Sequence, residues 1–366
     1  MNHPKSYNRG VLIVVLALVS IGLVMILSAS GVMADYRYGS PTKFYLKQLV
    51  WIVLGIFSLL FFSVFDYNKL KKFIVPLLFF TVLLLTFVLL FGTTVGGAKR
   101  WLRFGPFGFQ PSEIAKITVI IFLAWYIDRR TSKMKNFKDG LLKPFFVVGI
   151  IVFLIFLERD FGVPFLIFLI TIVLLFIGGV NYMYIVFAGL AAVPVIIYAV
   201  MREPYRLKRI TSFLNPWADP QGSGYQLVQS LIAMGSGGLY GTGLGESKIK
   251  MLFLPDPHTD FIFPIIGEEL GFVGTMFILI LFFILFVLGI KIALNSKNLF
   301  GQLLAFGLTT MITLQALINM SVSVGVIPTK GLPLPFISFG GSSVLVMLTS
   351  IGILLNIAKQ PSYEKG

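Results

Sequence analysis

Apolar runs long enough for membrane helices follow one another along almost the whole chain, near 11–31, 45–65, 73–91, 111–127, 144–157, 161–178, 182–201, 262–290, 300–325 and 341–358. Crossing the hydrocarbon layer of a bilayer takes roughly 20 apolar residues in a helix, which satisfies its own backbone where no water can. Of 366 residues, 57% are hydrophobic and 12% charged, more apolar surface than one soluble core absorbs. The expectation is an all-α polytopic membrane protein, a single domain over residues 1–366, with about 10 transmembrane helices. A long polar stretch, 202–261, separates the seventh run from the eighth and is expected to be a large structured loop outside the membrane. ERDFG (158–162) divides the short fifth and sixth runs.

The first run follows Lys5 and Arg9 and ends in SASG (28–31), the outline of a cleaved signal peptide. The many spans after it leave little use for removing the first, so it is expected to stay. Lys and Arg concentrate in alternate loops: Lys69, Lys71 and Lys72, then Arg129 to Lys143, then Lys291 and Lys297, then Lys359 and Lys365. That bias predicts cytoplasmic N- and C-termini. It leaves Arg37, Lys43, Lys47, Lys99, Arg100, Arg103, Arg159 and Lys330 outside, together with the loop 202–261. The absence of cysteine excludes disulfides, thiolate metal sites and a cysteine nucleophile, and with only His3 and His258 a histidine-rich metal site is excluded too.

Residues able to do chemistry gather in the outer segments. VGGAKRWLRFGPFGFQPSEIAK (95–116) sets Lys99, Arg100 and Arg103 among glycines and aromatics, then puts Glu113 and Lys116 three apart on one helix face. An ionisable pair inside a span is costly unless its members pair or line a wet cavity, so these two are either a helix-fixing salt bridge or part of a site. ERDFG adds Glu158 and Asp160. In the long loop, REPYRLKR (202–209) supplies Arg206, Lys208 and Arg209. SGYQLVQSLIAMGSGGLYGTGLGES (223–247) reads as an amphipathic helix followed by a glycine-rich turn, whose amides are suited to holding a phosphate.

GVIPTKGLPLPFISFGGSS (325–343) carries Lys330 and too much proline and glycine for regular helix. A re-entrant-like loop over 325–342 is expected there, its free backbone groups lining a cavity, with Ser342 opening span ten where a helix N-terminus attracts anions. Finally, LPDPHTDFIFPIIGEELG (254–271) crowds Asp256, His258, Asp260, Glu268 and Glu269 against the start of span eight. Asp256, flanked by prolines, reads as a solvated turn residue. Glu268 and Glu269 are adjacent and face different ways, one of them toward a cation of another helix.

VGGAKRWLRFGPFGFQPSEIAK, NPWADPQGSGYQLVQSLIAMGSGGLYGTGLGESKIKMLFLPDPHTDFIFPIIGEELG and TKGLPLPFISFGGSS together closely resemble the SEDS family (shape, elongation, division and sporulation) of peptidoglycan glycosyltransferases, nearly end to end. TKG at 329–331 and GLGESK at 243–248 are closer to its division and sporulation members than to its elongation member. The family usually has Glu-Pro-Asp where this chain reads Glu158-Arg159-Asp160, so the carboxylates are kept and the backbone set by the proline is not.

The resemblance implies a polymerase that joins the disaccharides of lipid II into β-1,4 glycan on the outer face of the bacterial cytoplasmic membrane, at the division septum, with undecaprenyl pyrophosphate as leaving group. It implies Asp260 as general base toward the acceptor sugar's 4-hydroxyl, at an edge where partial desolvation makes a carboxylate a better base. Lys116, Arg100, Lys99, Arg209 and Lys330 would steady the departing pyrophosphate. Glu113 would hold Lys116, His258 would orient the site, Ser342 would contact substrate, and Glu158 and Asp160 would meet sugar or a divalent cation (Mg or Mn) that the sequence does not establish. The implied partners are a class B penicillin-binding protein that crosslinks the product and other division proteins; nucleic acid is not among them. A lipid II flippase and a division scaffold are the alternatives, and the gathering of unusual residues on the outer side favours the enzyme.

Overall fold

The computed structural model describes residues 4–95, 98–105, 107–202, 204–250, 258–328 and 331–360. The apolar runs become α1 (Pro4–Tyr38), α2 (Lys43–Val64), α3 (Leu70–Phe91), α4 (Pro111–Arg130), α5 (Lys143–Leu157), α6 (Gly162–Ile177) and α7 (Tyr182–Met201). After α8 (Pro204–Leu214) and α9 (Tyr225–Ser236) in the long loop, the runs resume as α10 (Ile262–Leu294), α11 (Leu299–Ser323) and α12 (Gly341–Lys359). Among the described residues, 7 helices are long and apolar enough to cross a membrane, namely α1, α2, α3, α5, α10, α11 and α12; α6 and the first part of α7 are shorter apolar helices. Glu113, Lys116 and Asp128 lower the hydropathy of α4, yet most of this helix is buried.

Between α3 and α4 the purely helical expectation is corrected. β1 (Thr93–Val95), β2 (Ala98–Phe104) and β3 (Phe107–Phe109) form an antiparallel sheet in chain order. In a strand alternate side chains face opposite ways. Ala98 and Leu102 are therefore buried, with Arg100 half-buried on the same side, while Lys99 and Arg103 on the other side are exposed.

α4, α11 and α12 run through the interior, and the faces of α2, α3 and α5 turned outward carry exposed Phe57, Phe61, Phe79 and Phe146. Small residues bring the inner helices together, as they do in membrane bundles. A Cβ on Gly352 of α12 would stand 2.5 Å from the carbonyl oxygen of Leu59 in α2, and one on Gly22 of α1 would stand 2.6 Å from that of Phe336. The first run is thus part of the packed bundle.

Span eight differs from its expected form. At about 1.5 Å per residue α10 would be far longer than the membrane core, and it is broken at Gly271, whose φ is 67° and ψ −166°. The break frees carbonyls on one side and amides on the other, and the glycine-rich segment takes up both. Thr242 N and Gly243 N donate to the carbonyls of Glu268 (2.9 Å) and Glu269 (3.1 Å), while Phe272 N and Val273 N donate to those of Gly238 (2.9 Å) and Leu239 (3.1 Å). The glycines are there for close approach. A Cβ on Gly237 would lie 1.9 Å from the carbonyl oxygen of Gly267, and one on Gly241, whose φ is 82°, would lie 2.2 Å from that of Glu269. The reading of this turn as a phosphate cradle is therefore corrected for Thr242 and Gly243, since their amides are spent on the helix break.

Gly241→Ala should destabilise the protein by more than about 2 kcal/mol, from left-handed strain and backbone collision together. Gly235→Ala, in α9 with nothing within 4 Å of the new carbon, should be neutral or stabilising. Thermal unfolding of the two variants in detergent checks the contrast; equal midpoints would mean that the glycine stitch does not hold the break.

Candidate active site

Residues 331–340, between α11 and α12, form no regular helix beyond one turn closed by Ile337 N and Ser338 N on Leu334 O, and Leu332, Leu334, Phe336, Ile337 and Ser338 are buried. The freed backbone groups of such a segment were expected to line a cavity; many are met by side chains instead. Gln48 of α2 donates to Ser338 O at 3.3 Å and accepts from Gly340 N at 3.2 Å. On α11, Gln315 donates to Pro333 O at 2.9 Å and Asn319 to Leu332 O at 2.7 Å. Ser338 Oγ accepts from Leu334 N at 2.8 Å. The strap so formed holds Phe336 at a φ of 65°, a left-handed conformation that a bulky residue keeps only when its surroundings impose it.

The turn 258–260 lies against this strap. Phe339 N donates to His258 O at 2.8 Å, and the His258 ring clusters with those of Phe44 and Phe339, 4.3 and 5.3 Å from their centroids, which are themselves 5.3 Å apart. His258 is thus a buried ring, tilted against both neighbours, whose packing helps to fix the turn. Two residues on, the Asp260 side chain is half-buried at the start of α10. Its carbonyl accepts from Asn319 Nδ2 at 2.9 Å, and a Cβ on Gly331 would meet its carboxylate Oδ2 at 3.4 Å.

The pair expected in span four is also tied to the strap, through Gln315. Lys116 is 0% exposed, and its Nζ donates to Glu113 Oε1 at 3.0 Å and to Gln315 Oε1 at 2.7 Å. The helix-fixing salt bridge is the arrangement present, tied onward through Gln315 to Pro333.

A looser group stands between the sheet and the start of α6. Arg100 of β2 donates to Arg159 O at 3.1 Å and faces Asp160 Oδ2 at 3.7 Å. Asp160 Oδ1 accepts from Gly162 N (2.9 Å) and Val163 N (3.3 Å), capping the first turn of α6. Burial pushes the Asp160 carboxyl up, against the pull of Arg100 and the two amides. Glu158 is 1% exposed, and neither of its oxygens has a hydrogen-bond partner among the described residues. Burial first, and the charge of Asp160 second, push its carboxyl up to about 9. Glu113 also raises Asp160, so the three carboxylates share one electrostatic neighbourhood. Arg159 has a φ of 60°, a value that proline, locked near −65°, cannot take; the Glu-Arg-Asp sequence and this backbone go together. Among the described residues, no group of three or more His, Cys, Asp or Glu is placed to hold a metal ion.

The chain matches the sequence family described as cell cycle protein, that of FtsW, RodA and SpoVE, over residues 9–363. It is 40% identical over 360 residues to a protein of Geobacter sp. (strain M18) named probable peptidoglycan glycosyltransferase FtsW, with 98% of each chain covered. It is likewise 40% identical over 353 residues to the stage V sporulation protein E of Bacillus subtilis (strain 168), covering 96% of each. Among solved structures, the rod shape determining protein RodA of Thermus thermophilus superposes with a TM-score of 0.71 at 26% identity, covering 96% of each chain. A chain from work described as structural coordination of polymerization and crosslinking by a peptidoglycan synthase complex superposes with a TM-score of 0.80 at 27% identity, covering 97% of this chain and 98% of that one. The chain belongs to the SEDS family.

The remaining residues expected in the site of this SEDS protein are spread out. Ser342 Oγ accepts from Gln110 N at 2.9 Å and joins α12 to the entrance of α4. Lys99 is exposed on the outer face of β2, and Arg209 is half-buried on α8, away from the strap in sequence and in element. Lys330 and Asp256 lie outside the described residues. Glu268 and Glu269 do part company. Glu268 accepts from Ser247 Oγ and, at 3.0 Å, from Lys248 N; Glu269 meets Lys250 Nζ at 2.8 Å and Ser28 Oγ of α1 at 2.7 Å. The cation came from the loop, not from another helix as expected. Gln48, Gln315, Asn319 and Lys250 were missed in the sequence, although buried amides four apart in an apolar span, as at 315 and 319, are a legible signal.

Glu158 holds its proton in the folded protein up to about 9, against an ordinary value of 4.5. Between those values the unfolded chain binds fewer protons, so stability falls as pH rises through the window. Glu158→Gln should flatten that decline while leaving stability at about pH 5 little changed. Unfolding midpoints of both proteins from about pH 5 to about pH 8.5 check this, and parallel slopes would mean that Glu158 ionises without cost.

Proposed function

We propose that this SEDS protein is a peptidoglycan glycosyltransferase that polymerises lipid II into β-1,4 glycan on the outer face of the cytoplasmic membrane during division. In this reading the ten helices α1 to α7 and α10 to α12 cross the membrane, both termini are cytoplasmic, and residues 202–261 lie outside. The observation that carries it is the half-buried Asp260 carboxylate beside Gly331, held at its own main chain by Asn319 in a protein of this family.

Asp260 takes the proton of the acceptor sugar's 4-hydroxyl as that oxygen attacks the donor's anomeric carbon. The bond from that carbon to the pyrophosphate oxygen breaks, and the pair of electrons leaves on undecaprenyl pyrophosphate. Direct, in-line displacement inverts the α-linked donor to a β linkage. Cations placed where this charge grows lower the barrier. Arg100, with 26% of its side chain exposed, is the cation best able to touch the leaving group, with Lys99, Arg209 and Lys330 as further contacts. Lys116, closed in by Glu113 and Gln315, contributes its charge and reaches a ligand only by releasing one of them. Glu158 and Asp160, 1% and 3% exposed as they stand, would have to be uncovered to meet sugar, and His258 and Ser342 hold the walls. A class B penicillin-binding protein that crosslinks the strands completes the reaction sequence, with other division proteins around it. The likeness of this chain to one chain from work on a peptidoglycan synthase complex supports that partnership.

Asp260→Asn should lower glycan synthesis from labelled lipid II by at least about 10²-fold, in the presence of the class B partner, with an unchanged unfolding midpoint. Substantial synthesis by the variant would move the base elsewhere. Synthesis by neither protein would favour transport or scaffolding.

A further inference from the structure

Gln315 and Asn319 stand four residues apart on α11, one turn of one face, and are 0% and 2% exposed. Each amide joins two elements at once. Gln315 accepts from Lys116 Nζ at 2.7 Å and donates to Pro333 O at 2.9 Å. Asn319 donates to Asp260 O at 2.9 Å and to Leu332 O at 2.7 Å. The partners dictate which way each amide points, because an ammonium needs the oxygen and two carbonyls need the nitrogen. Stability alone does not explain the choice of residue: Asn319 Oδ1 is buried without a hydrogen-bond partner among the described residues, a cost that an apolar side chain would avoid.

We propose that Gln315 and Asn319 are positioning residues that keep Asp260 in register with the Lys116–Glu113 pair through the strap segment 331–333. The inference rests on the proposed roles of Asp260 and Lys116. Three consecutive residues make the link: Gly331 abuts the Asp260 carboxylate, Leu332 hangs from Asn319 and Pro333 from Gln315. Backbone advances roughly 3.5 Å per residue when extended, so a slip of the strap by a fraction of one residue displaces the base relative to the cation by a chemically significant distance. Neither amide needs to touch substrate. Losing the Asn319 bonds frees the base end, and losing the Pro333 bond of Gln315 frees the strap while Lys116 can still be held.

The test is steady-state glycan synthesis by the full-length protein with its class B partner and labelled lipid II, giving kcat, KM and the pH dependence of kcat, alongside unfolding midpoints. Asn319→Leu should lower kcat by roughly 10²-fold with KM changed by no more than about two-fold, and should move the acidic limb of the kcat profile. Gln315→Glu keeps an acceptor for Lys116 and loses the donor to Pro333, so kcat should fall with KM retained. Gln315→Leu loses both and should raise KM as well. If Asn319→Leu folds poorly, Asn319→Asp, of equal size but without the donors, carries the same expectation. Losses that track only the fraction of folded protein, with KM and the pH profile unmoved, overturn the proposal, as do native rates in the Asn319 and Gln315 variants. Full activity of Asp260→Asn in the same assay sinks the reading of the site and this inference with it. Inactive Asp260→Asn beside fully active Asn319 and Gln315 variants removes the positioning role alone.

Discussion

Backbone that leaves helical geometry inside a membrane bundle has no water to turn to, so its freed N–H and C=O groups must be met by protein. Two segments of this chain live under that constraint. The strap 331–340 is met by Gln48, Gln315, Asn319 and its own Ser338, and the break at Gly271 is met by the carbonyls and amides of 238–243. Asp260 stands against the first of them, beside Gly331, in the turn before the first piece of α10. The polar side chains that make the two irregular segments affordable also fix where Asp260 is.

Buried charges follow a related rule: they are tolerated in pairs and costly alone. Lys116 with Glu113 and Lys250 with Glu269 are closed pairs at 2.9 and 2.8 Å, each further tied to a neutral side chain, Gln315 in one case and Ser28 in the other. Removing either partner would leave a bare charge in the interior, so these pairs specify geometry more than they add stability. The second pair and its neighbour Glu268 fasten the segment 247–250 to α1 and α10, just ahead of the residues that lead to His258 and Asp260. Arg100 and Asp160, 3.7 Å apart with the arginine partly exposed, form the open member of the set, and Glu158 beside them carries a carboxyl that burial keeps protonated.

Much of this was legible in the sequence. Apolar run length located the helices to within a few residues for α5, α6 and α11, and the spacing of Glu113 and Lys116 announced their pairing. What escaped had a physical reason in each case. The strands at 93–109 are too short for a period-two signal to stand out among glycines. The break in α10 depends on one glycine whose conformation is imposed by a loop far away in sequence. Lys250 was passed over because its partner, Glu269, lies 19 residues on, and only the fold brings the two together. The three amides of the strap were passed over because amides carry no charge to flag them, although their burial in apolar helices made them as costly as the ions.

The central claim is that the strap 331–333 links the proposed base, Asp260, to the Lys116–Glu113 pair. Its most direct test is a cryo-EM structure of the Asp260→Asn protein, with its class B partner, bound to lipid II. The account predicts an acceptor 4-hydroxyl within hydrogen-bond reach of residue 260 and a pyrophosphate near Arg100 and Lys116. A pyrophosphate lodged elsewhere, with no sugar hydroxyl near residue 260, would contradict it.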